Sequence, residues 1–175
     1  MAVASDLGIT ARRKSVLARL NQWFASSALG ASLLSRTMPA IDALTARATG
    51  GRTTYTEGVA GLPTIYLTTR GARTGQPRTV PLVAIVTGDD VAVIGSNWGR
   101  AHHPGWVHNL LAHPHAKVAS RDRSVDVVAR EATGAEAERI WTAARALYRG
   151  YRMYPARSQG RIIRVFILKN PTKTE

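Results

Sequence analysis

Short apolar runs separated by turn residues constrain the fold of this chain more than any other feature. Residues 80–86 form a mostly apolar run and residues 91–94 form another, and Thr87-Gly88-Asp89-Asp90 between them is typical of a hairpin turn. Two apolar runs joined this tightly predict antiparallel strands with both faces largely covered, as in the wall of a barrel.

Further strands are expected on both sides of this hairpin. Residues 63–69 are rich in β-branched and aromatic side chains, and turn residues follow from Gly71 to Pro77. Residues 116–130 read as two strands with a turn at 121–124, and residues 161–168, which include Ile162, read as a last strand.

Two helices are expected between these strands. Pro104 suits the first turn of a short helix that ends before Pro114, with Trp106, Val107, Leu110 and Leu111 on its apolar face. Thr133 and Glu136 have the spacing of a capping box, and the helix they open is expected to run to about Tyr151 or Tyr154. Short antiparallel strands with interspersed helices predict an α+β fold built on a small barrel.

The N-terminal region has a different pattern. Residues 16–34 are apolar at roughly helical spacing, and Arg12, Arg13, Lys14 and Arg19 flank or interrupt them. Two interpretations stay open: a helix that packs on the domain core, or a basic amphipathic helix at an anionic membrane surface. We therefore divide the chain into an N-terminal helix and linker, 1–50, and a barrel domain, 51–175, with no run long enough to span a bilayer.

The charge balance points to an anionic partner. Lys and Arg number 24 against 11 Asp and Glu, which gives a net charge of +13. Nucleic acid, a lipid surface and a small polyanionic ligand would each fit this charge. Nucleic acid is not expected, because the basic residues are dispersed and no nucleic-acid-binding motif accompanies them. The absence of cysteine excludes disulfides, thiolate nucleophiles and Cys-based metal sites.

The sequence carries few residues arranged for acid–base or metal chemistry. It has no HExxH, GxSxG, GxxxxGK[ST] or GxGxxG motif. The histidines cluster between positions 102 and 115 without a carboxylate among them, so we interpret them as surface and capping residues and expect no metal. These histidines are His102, His103, His108, His113 and His115.

Residues 70–78 have the composition of an anion-binding loop. Arg70, Arg73 and Arg78 accompany Gly71 and Gly75, and the segment contains no acid. A glycine-rich turn lets backbone N–H groups converge on an anion, and arginine adds bidentate hydrogen bonds, so phosphate or carboxylate binding is one interpretation. An ordinary exposed hairpin loop with basic residues is the other.

Aromatic residues form a second candidate group. Trp98, Trp106, Tyr148, Tyr151 and Tyr154 could stack on a flat ring. The tyrosines could instead end a core-facing helix. A tyrosine hydroxyl can donate a hydrogen bond or a proton at neutral pH, because its unperturbed pKa is about 10.

Several separated motifs in this chain resemble the deazaflavin (coenzyme F420)-dependent nitroreductase family of actinobacteria. The motifs occur in family-like order, and the resemblance covers roughly residues 62–168 and is tightest between 67 and 118. They are residues 67–78, Pro81-Leu82, Gly95-Ser96-Asn97, residues 104–110 and Pro114.

The resemblance implies a split β-barrel, related to FMN-binding barrels, that binds F420. It implies that Arg73 and Thr74 meet the cofactor's phosphate, with Ala72 beside them through its backbone, and that Tyr151, with Tyr148 as a second candidate, acts near the substrate. The other implied cofactor-binding residues are Arg78, Thr79, Val80, Pro81, Leu82 and Val83 on one strand, Ile94, Gly95, Ser96 and Asn97, and Gly105, Trp106, Val107, His108 and Asn109.

The resemblance also implies an activity, hydride transfer from reduced F420 to a quinone, a nitroaromatic or an activated enone. Such an enzyme would be cytoplasmic, with peripheral contact on the inner face of the membrane if the N-terminal helix binds lipid. A non-catalytic F420 or FMN carrier with the same fold stays open as the alternative, because fold and cofactor motif do not establish turnover. Ala72 stands where the family often has a basic residue, and Trp98 is expected to reshape the substrate pocket.

Overall fold

The computed structural model of the protein describes residues 3–9 and 62–171. The helices there are α1 (Val3–Asp6), α2 (Gly105–Ala112), α3 (Gly134–Leu147) and α4 (Tyr154–Arg157), with 3₁₀ turns at Asn97–Gly99 and Arg149–Arg152. The strands are β1 (Thr64–Arg70), β2 (Pro77–Val83), β3 (Ile85–Thr87), β4 (Asp90–Ile94), β5 (His115–Ser120), β6 (Arg123–Ala132) and β7 (Val165–Lys169). The basic helix expected within 12–34 lies outside the described residues.

The strands form one antiparallel sheet that curls into a split barrel. Its order is β2-β1-β5-β6-β7-β4-β3, so β2 and β3 occupy opposite edges. These edge strands are nevertheless consecutive in the chain, and only Ala84 separates them. The two edges must therefore meet at one corner, where the buried Ala84 donates its N–H to the Pro63 carbonyl at 2.8 Å. The predicted α+β barrel is confirmed.

The continuous apolar character of β4 follows from burial on both faces. In β4, Val91 and Val93 face the barrel interior, while Ala92 packs in a second cluster with Ile140 and Trp141 of α3. A strand that is covered on both sides has no polar face, which is why its sequence does not alternate. The prediction that both faces are covered is confirmed for β4.

The run 80–86 was expected to be one strand, and that expectation is wrong. Residues 80–83 belong to β2, which pairs with β1, and only Ile85–Thr87 forms the hairpin with β4. The chain changes sheet edge at Ala84, whose N–H bonds outside either ladder. An apolar run does not reveal such a corner, because both strands are equally apolar.

The helix after β6 also differs from its prediction. Thr133 precedes it as expected but makes no side-chain capping bond, and Glu136 is paired instead with both terminal nitrogens of Arg130 at 2.7 and 2.8 Å. The helix ends at Leu147, since Tyr148 adopts an extended backbone with φ −145° and ψ 123°. The tyrosines at 151 and 154 therefore lie beyond α3.

Two apolar residues were misplaced by the sequence pattern. Leu111, expected on the buried face of the short helix, is exposed, whereas the other three members of that face are buried. The last strand begins at Val165, and Ile162 in the segment before it is 81% exposed. Residues 161–164 instead form hydrogen bonds with the segment after β4, through the Arg161 side chain and the Arg164 carbonyl.

The first residues of the chain fill one end of the barrel. Val3, Ala4 and Leu7 are buried in the interior cluster, and the Ala4 N–H donates to the Asp89 carbonyl at 3.1 Å. Arg123, the first residue of β6, donates from Nη1 to the Ser5 carbonyl at 3.5 Å. Segment 3–9 thus acts as a plug at this end of the barrel.

We expect Leu7→Ala to lower the free energy of unfolding by about 2–5 kcal/mol, because it removes a fully buried side chain and leaves a cavity. Urea unfolding followed by circular dichroism measures the change. Ile9→Ala is the matched control, since Ile9 is only partly buried and its truncation should be much less costly. Equal stability of Leu7→Ala and the unmodified protein would contradict the plug.

Candidate functional site

The loop between β1 and β2 is a compact turn with its own hydrogen bonds. The Gly71 N–H donates to the Gln76 carbonyl and the Gly75 N–H to the Gly71 carbonyl, both at 2.8 Å. Arg73 and Thr74 lie at its exposed tip. The turn is therefore closed before any ligand arrives, and its tip faces solvent.

One asparagine side chain ties this loop to helix α2. Asn109 accepts the Ala72 N–H at 3.0 Å through Oδ1 and donates from Nδ2 to the Thr69 hydroxyl at 2.9 Å. The Ala72 N–H, which the resemblance places beside the phosphate, thus already makes a hydrogen bond within the protein. In the described part of the chain, the N–H groups of Arg73 and Thr74 donate no hydrogen bond.

Free amides and exposed arginines give the loop the chemistry of an anion site. Two successive N–H groups at a turn, with the Arg73 guanidinium beside them, can surround a phosphate oxygen. Arg78, the second residue of β2, is also exposed. The exposed loop is compatible with both interpretations left open by the sequence, and anion binding stays a prediction.

The rest of the implied cofactor strand lies at the edge of the sheet. Residues 77–79 are exposed and residues 80–83 are half-buried, so β2 offers one face to a ligand. Thr79 is held to Thr68 of β1 by a hydroxyl–hydroxyl hydrogen bond of 2.8 Å. Pro81 suits this position, because an edge strand does not need every N–H for its ladder.

The segment after β4 is the second part of the candidate site. Ile94 is buried, and the Gly95 N–H donates to the Arg164 carbonyl at 2.9 Å. A Cβ on Gly95 would lie 2.8 Å from the Cγ2 of Val107, a distance that real side chains do not tolerate. Glycine at this position therefore lets α2 pack directly against the end of β4.

Beyond Gly95 the backbone takes an unusual course. Asn97, Trp98 and Gly99 have φ angles of 48°, 59° and 78°, all in the left-handed region. For Trp98 such a conformation costs on the order of 1–3 kcal/mol, so the surroundings must hold it in place. A Cβ on Gly99 would meet the Cβ of Arg157 at 2.8 Å, which explains glycine there.

This course creates a second pair of free amides. Ser96 is right-handed and Asn97 left-handed, a combination whose N–H groups form a concave nest for a negatively charged or electron-rich atom. Among the described residues, the N–H groups of Asn97 and Trp98 donate to no acceptor. The segment therefore presents donors of the same type as the β1–β2 loop.

Helix α2 contacts both of these segments, through Asn109 and Val107. Pro104 is its N-cap, and among the described residues no side chain caps the helix and no acid stands in its first turn, so none of them compensates the positive end of the helix dipole there. Trp106 is buried and packs edge-on against Phe166 with ring centroids 5.8 Å apart. Gly105 and His108 are exposed.

The tyrosines form a buried aromatic cluster. The rings of Tyr148 and Tyr151 lie 5.8 Å apart, those of Tyr151 and Tyr154 lie 5.6 Å apart, and Trp141 packs edge-on against Tyr151. Burial raises the pKa of all three tyrosines, so they stay protonated at neutral pH. The Tyr148 hydroxyl lies close enough to Tyr154 to affect its pKa, yet it makes no well-formed hydrogen bond within the described residues.

Sequence reasoning placed Tyr154 in the candidate aromatic group without a role of its own, and it did not assign Arg161 to the site. The spacing of tyrosines at 148, 151 and 154 was a signal for the first. Arg161 carries no such signal, because its partners are backbone carbonyls: its guanidinium donates to the carbonyls of Gly95, Ser96 and Arg100.

The described residues contain neither a candidate metal-binding group nor a candidate membrane-spanning helix. Within residues 3–9 and 62–171, His, Asp and Glu side chains form no group of three or more that could hold a metal ion. No helix in that part of the chain has the length and hydropathy needed to cross a bilayer.

We expect Asn109→Ala to release the β1–β2 loop from α2, because the Ala72 N–H loses its acceptor. Hydrogen exchange at Ala72 should speed up by about tenfold, the change that corresponds to losing one hydrogen bond of about 1.4 kcal/mol. Asn109→Asp keeps the acceptor and should retain protection. Unchanged exchange at Ala72 in the alanine variant would contradict the role of Asn109 as the link.

Comparisons with known proteins identify relatives of this arrangement. The sequence model of the F420H2-dependent quinone reductase family matches residues 40–170. A relative in Mycobacterium tuberculosis strain H37Rv, an F420H2-dependent quinone reductase, is 37% identical over 68 residues, which cover 39% of this chain and 46% of the relative. The chain thus spans about half the length of the curated relatives that it matches.

Solved structures show the same architecture. An F420H2-dependent reductase superposes with a TM-score of 0.56 at 35% identity, covering 61% of this chain and 94% of that one. A second structure, described as a domain-swapped dimer, superposes with a TM-score of 0.59 at 34% identity and covers 73% of this chain and 95% of that one.

Proposed function

Since this chain belongs to the F420H2-dependent quinone reductase family, we propose that it binds reduced coenzyme F420 and transfers a hydride to a quinone. One observation carries the proposal beyond family membership. Helix α2 packs against both the β1–β2 loop, through Asn109, and the end of β4, through Val107 and Gly95. It therefore holds together the two segments that have free backbone donors.

The described residues fit a phosphate-bearing deazaflavin. The Arg73 and Thr74 amides and the exposed guanidiniums of Arg73 and Arg78 suit the phosphodiester. The Asn97 and Trp98 amides suit a carbonyl or ring nitrogen of the deazaflavin, where negative charge is favoured by nearby donors. When bound, F420H2 supplies the hydride from its reduced ring.

The protein's own contribution is then to bind, orient and exclude water. Strand β2 lines the space along the cofactor with its half-buried residues 80–83. The uncompensated N-terminus of α2 favours an anionic group nearby. The site needs no acid–base pair, in agreement with the sequence, because the redox chemistry belongs to the cofactor.

The tyrosine cluster is our proposed acceptor-binding region. Because burial raises the pKa of Tyr151 and Tyr148, each can donate a hydrogen bond to a quinone oxygen but does not ionise. Gly99 packs against the backbone of Tyr154, so the cluster adjoins the left-handed segment that presents the Asn97 and Trp98 amides. The segment proposed to bind the cofactor and the tyrosine cluster proposed to bind the quinone are thus neighbours.

The decisive experiment measures the oxidation of F420H2 by its absorbance, with and without a water-soluble quinone. Quinone-dependent oxidation supports the reductase. Binding of F420 without quinone-dependent oxidation would favour the carrier alternative, and binding of FMN instead of F420 would overturn the cofactor assignment. A nitroaromatic and an activated enone should be tested as further acceptors, because their reduction stays a prediction. Contact with the membrane also stays a prediction.

We expect Arg73→Ala to weaken F420 binding by about tenfold, because a charge-assisted hydrogen bond to the phosphate is lost. Titration of the cofactor's fluorescence measures the dissociation constant. Arg139→Ala, an exposed arginine on α3, is the control for loss of charge alone. The same dissociation constant in Arg73→Ala and in this control would remove Arg73 from the site.

We expect Tyr151→Phe to lower kcat for quinone reduction by about tenfold, since the hydrogen-bond donor to the acceptor is lost. The affinity for F420 should stay the same, because this side chain is not assigned to the cofactor. Tyr66→Phe, on β1 outside the cluster, is the matched control. A kcat equal to that of the unmodified protein would leave Tyr151 without a role in turnover.

A further inference from the structure

We propose that Arg161 is a positioning residue of the cofactor site, which holds residues 95–100 in the conformation that presents the Asn97 and Trp98 amides to the ligand. This inference rests on the proposed function, because it concerns the same cofactor. Arg161 does not touch the cofactor in this proposal and acts only through the backbone that it binds.

The contacts of Arg161 enclose the strained part of the segment. Nη1 donates to the Gly95 carbonyl at 3.0 Å and Nη2 to the Ser96 carbonyl at 2.8 Å, just before the left-handed run 97–99. Nε donates to the Arg100 carbonyl at 3.0 Å, just after it. The Arg161 guanidinium thus holds the backbone on both sides of residues 97–99, whose left-handed conformation is unfavourable for non-glycine residues.

Local bonds alone do not provide the same restraint. The Gly99 N–H donates to the Ser96 carbonyl at 2.9 Å and the Arg100 N–H to the Asn97 carbonyl at 3.0 Å, and both lie within the turn. The Asn97 side chain adds a bond to the His102 carbonyl at 2.9 Å. The Gly95 N–H also donates to the Arg164 carbonyl at 2.9 Å, which ties the start of the segment to the chain that leads into β7. Arg161, on the same chain, binds carbonyls on both sides of the left-handed run.

The requirement for arginine follows from the shape of this contact. A guanidinium projects its N–H groups in one plane and in fixed directions, which matches three carbonyls spread around it. Lysine would bring the charge but not that geometry. The hydrogen bonds of Arg161 go to backbone carbonyls, so we assign this residue to holding the segment.

A fourth contact makes the arrangement sensitive to pH. Arg161 Nη1 lies 3.2 Å from Nδ1 of His103, and because a guanidinium only donates, Nδ1 must be an unprotonated acceptor. The pKa of His103 is lowered, first by burial and then by Arg161, with Arg164 and His108 acting in the same direction and Glu131 opposing them. Protonation of His103 would place two cations in contact and weaken the hold on the segment.

The test compares Arg161→Ala, Arg161→Lys and the control Arg139→Ala in the full chain, below the melting temperature of each variant. We expect the F420 dissociation constant, from fluorescence titration, to rise about tenfold in both Arg161 variants and to stay unchanged in the control. Methylguanidinium added to Arg161→Ala should restore affinity. Hydrogen exchange at residues 97–100 of the cofactor-free protein should rise in parallel.

The outcomes separate the two proposals. If the unmodified protein fails to bind F420, the proposed function fails. If it binds and the Arg161 variants bind equally well, or lose only thermal stability, the positioning role is overturned. Arg161→Lys keeps the experiment decisive if the alanine variant does not fold.

The pH profile adds a readout that a purely structural arginine would not move. F420 affinity of the unmodified protein should fall as the pH drops below 6.5, the ordinary pKa of histidine, as His103 gains a proton. His103→Asn offers an amide oxygen that does not titrate, so this variant should lose that part of the pH dependence. Identical profiles for the two proteins would contradict the contact between His103 and Arg161.

Discussion

The close approach of helix α2 to the end of β4 is the contact on which the rest of the site depends. Val107 packs where a Cβ of residue 95 would otherwise lie. From that position the same helix reaches the β1–β2 loop through Asn109. A helix of eight residues thereby fixes the distance between two loops that come from different hairpins, and neither loop contains an element long enough to do so itself.

Most of the fold could be predicted from the sequence, because its signals are local. Strands β1, β5 and β6, the β3–β4 turn and the start of α2 each have β-branched runs, glycine turns or proline within a few residues. The corner at Ala84 could not be predicted, since nothing in an apolar run marks the point where hydrogen bonding passes from one sheet edge to the other. The end of α3 was missed because Tyr148 leaves the helix without glycine or proline.

The candidate site divides in the same way. The arginines and glycines of residues 70–78 indicated a candidate anion-binding loop, and the spacing of the tyrosines indicated the aromatic group. Trp98 in a left-handed conformation and the carbonyl partners of Arg161 were not visible, because backbone groups are identical at every position and only the folded chain selects them. The roles of the individual site residues accordingly stay predictions.

The net charge of +13 also takes on a different meaning in the structure. Arg130, Arg145 and Arg164 are paired with glutamates, and Arg161 donates to backbone carbonyls, whereas Arg73 and Arg78 are exposed and form no ion pair among the described residues. The basic residues are dispersed along the sequence, but the fold therefore pairs them unevenly.

The plug formed by Val3, Ala4 and Leu7 has a consequence for the order in which the protein can be completed. These residues leave the ribosome well before the strands that they contact, because α1 packs against β4 and β6, and β6 ends at Ala132. During synthesis these apolar side chains thus lack their binding site until more than a hundred further residues have emerged. The barrel closes at this end by joining segments that are far apart in the chain.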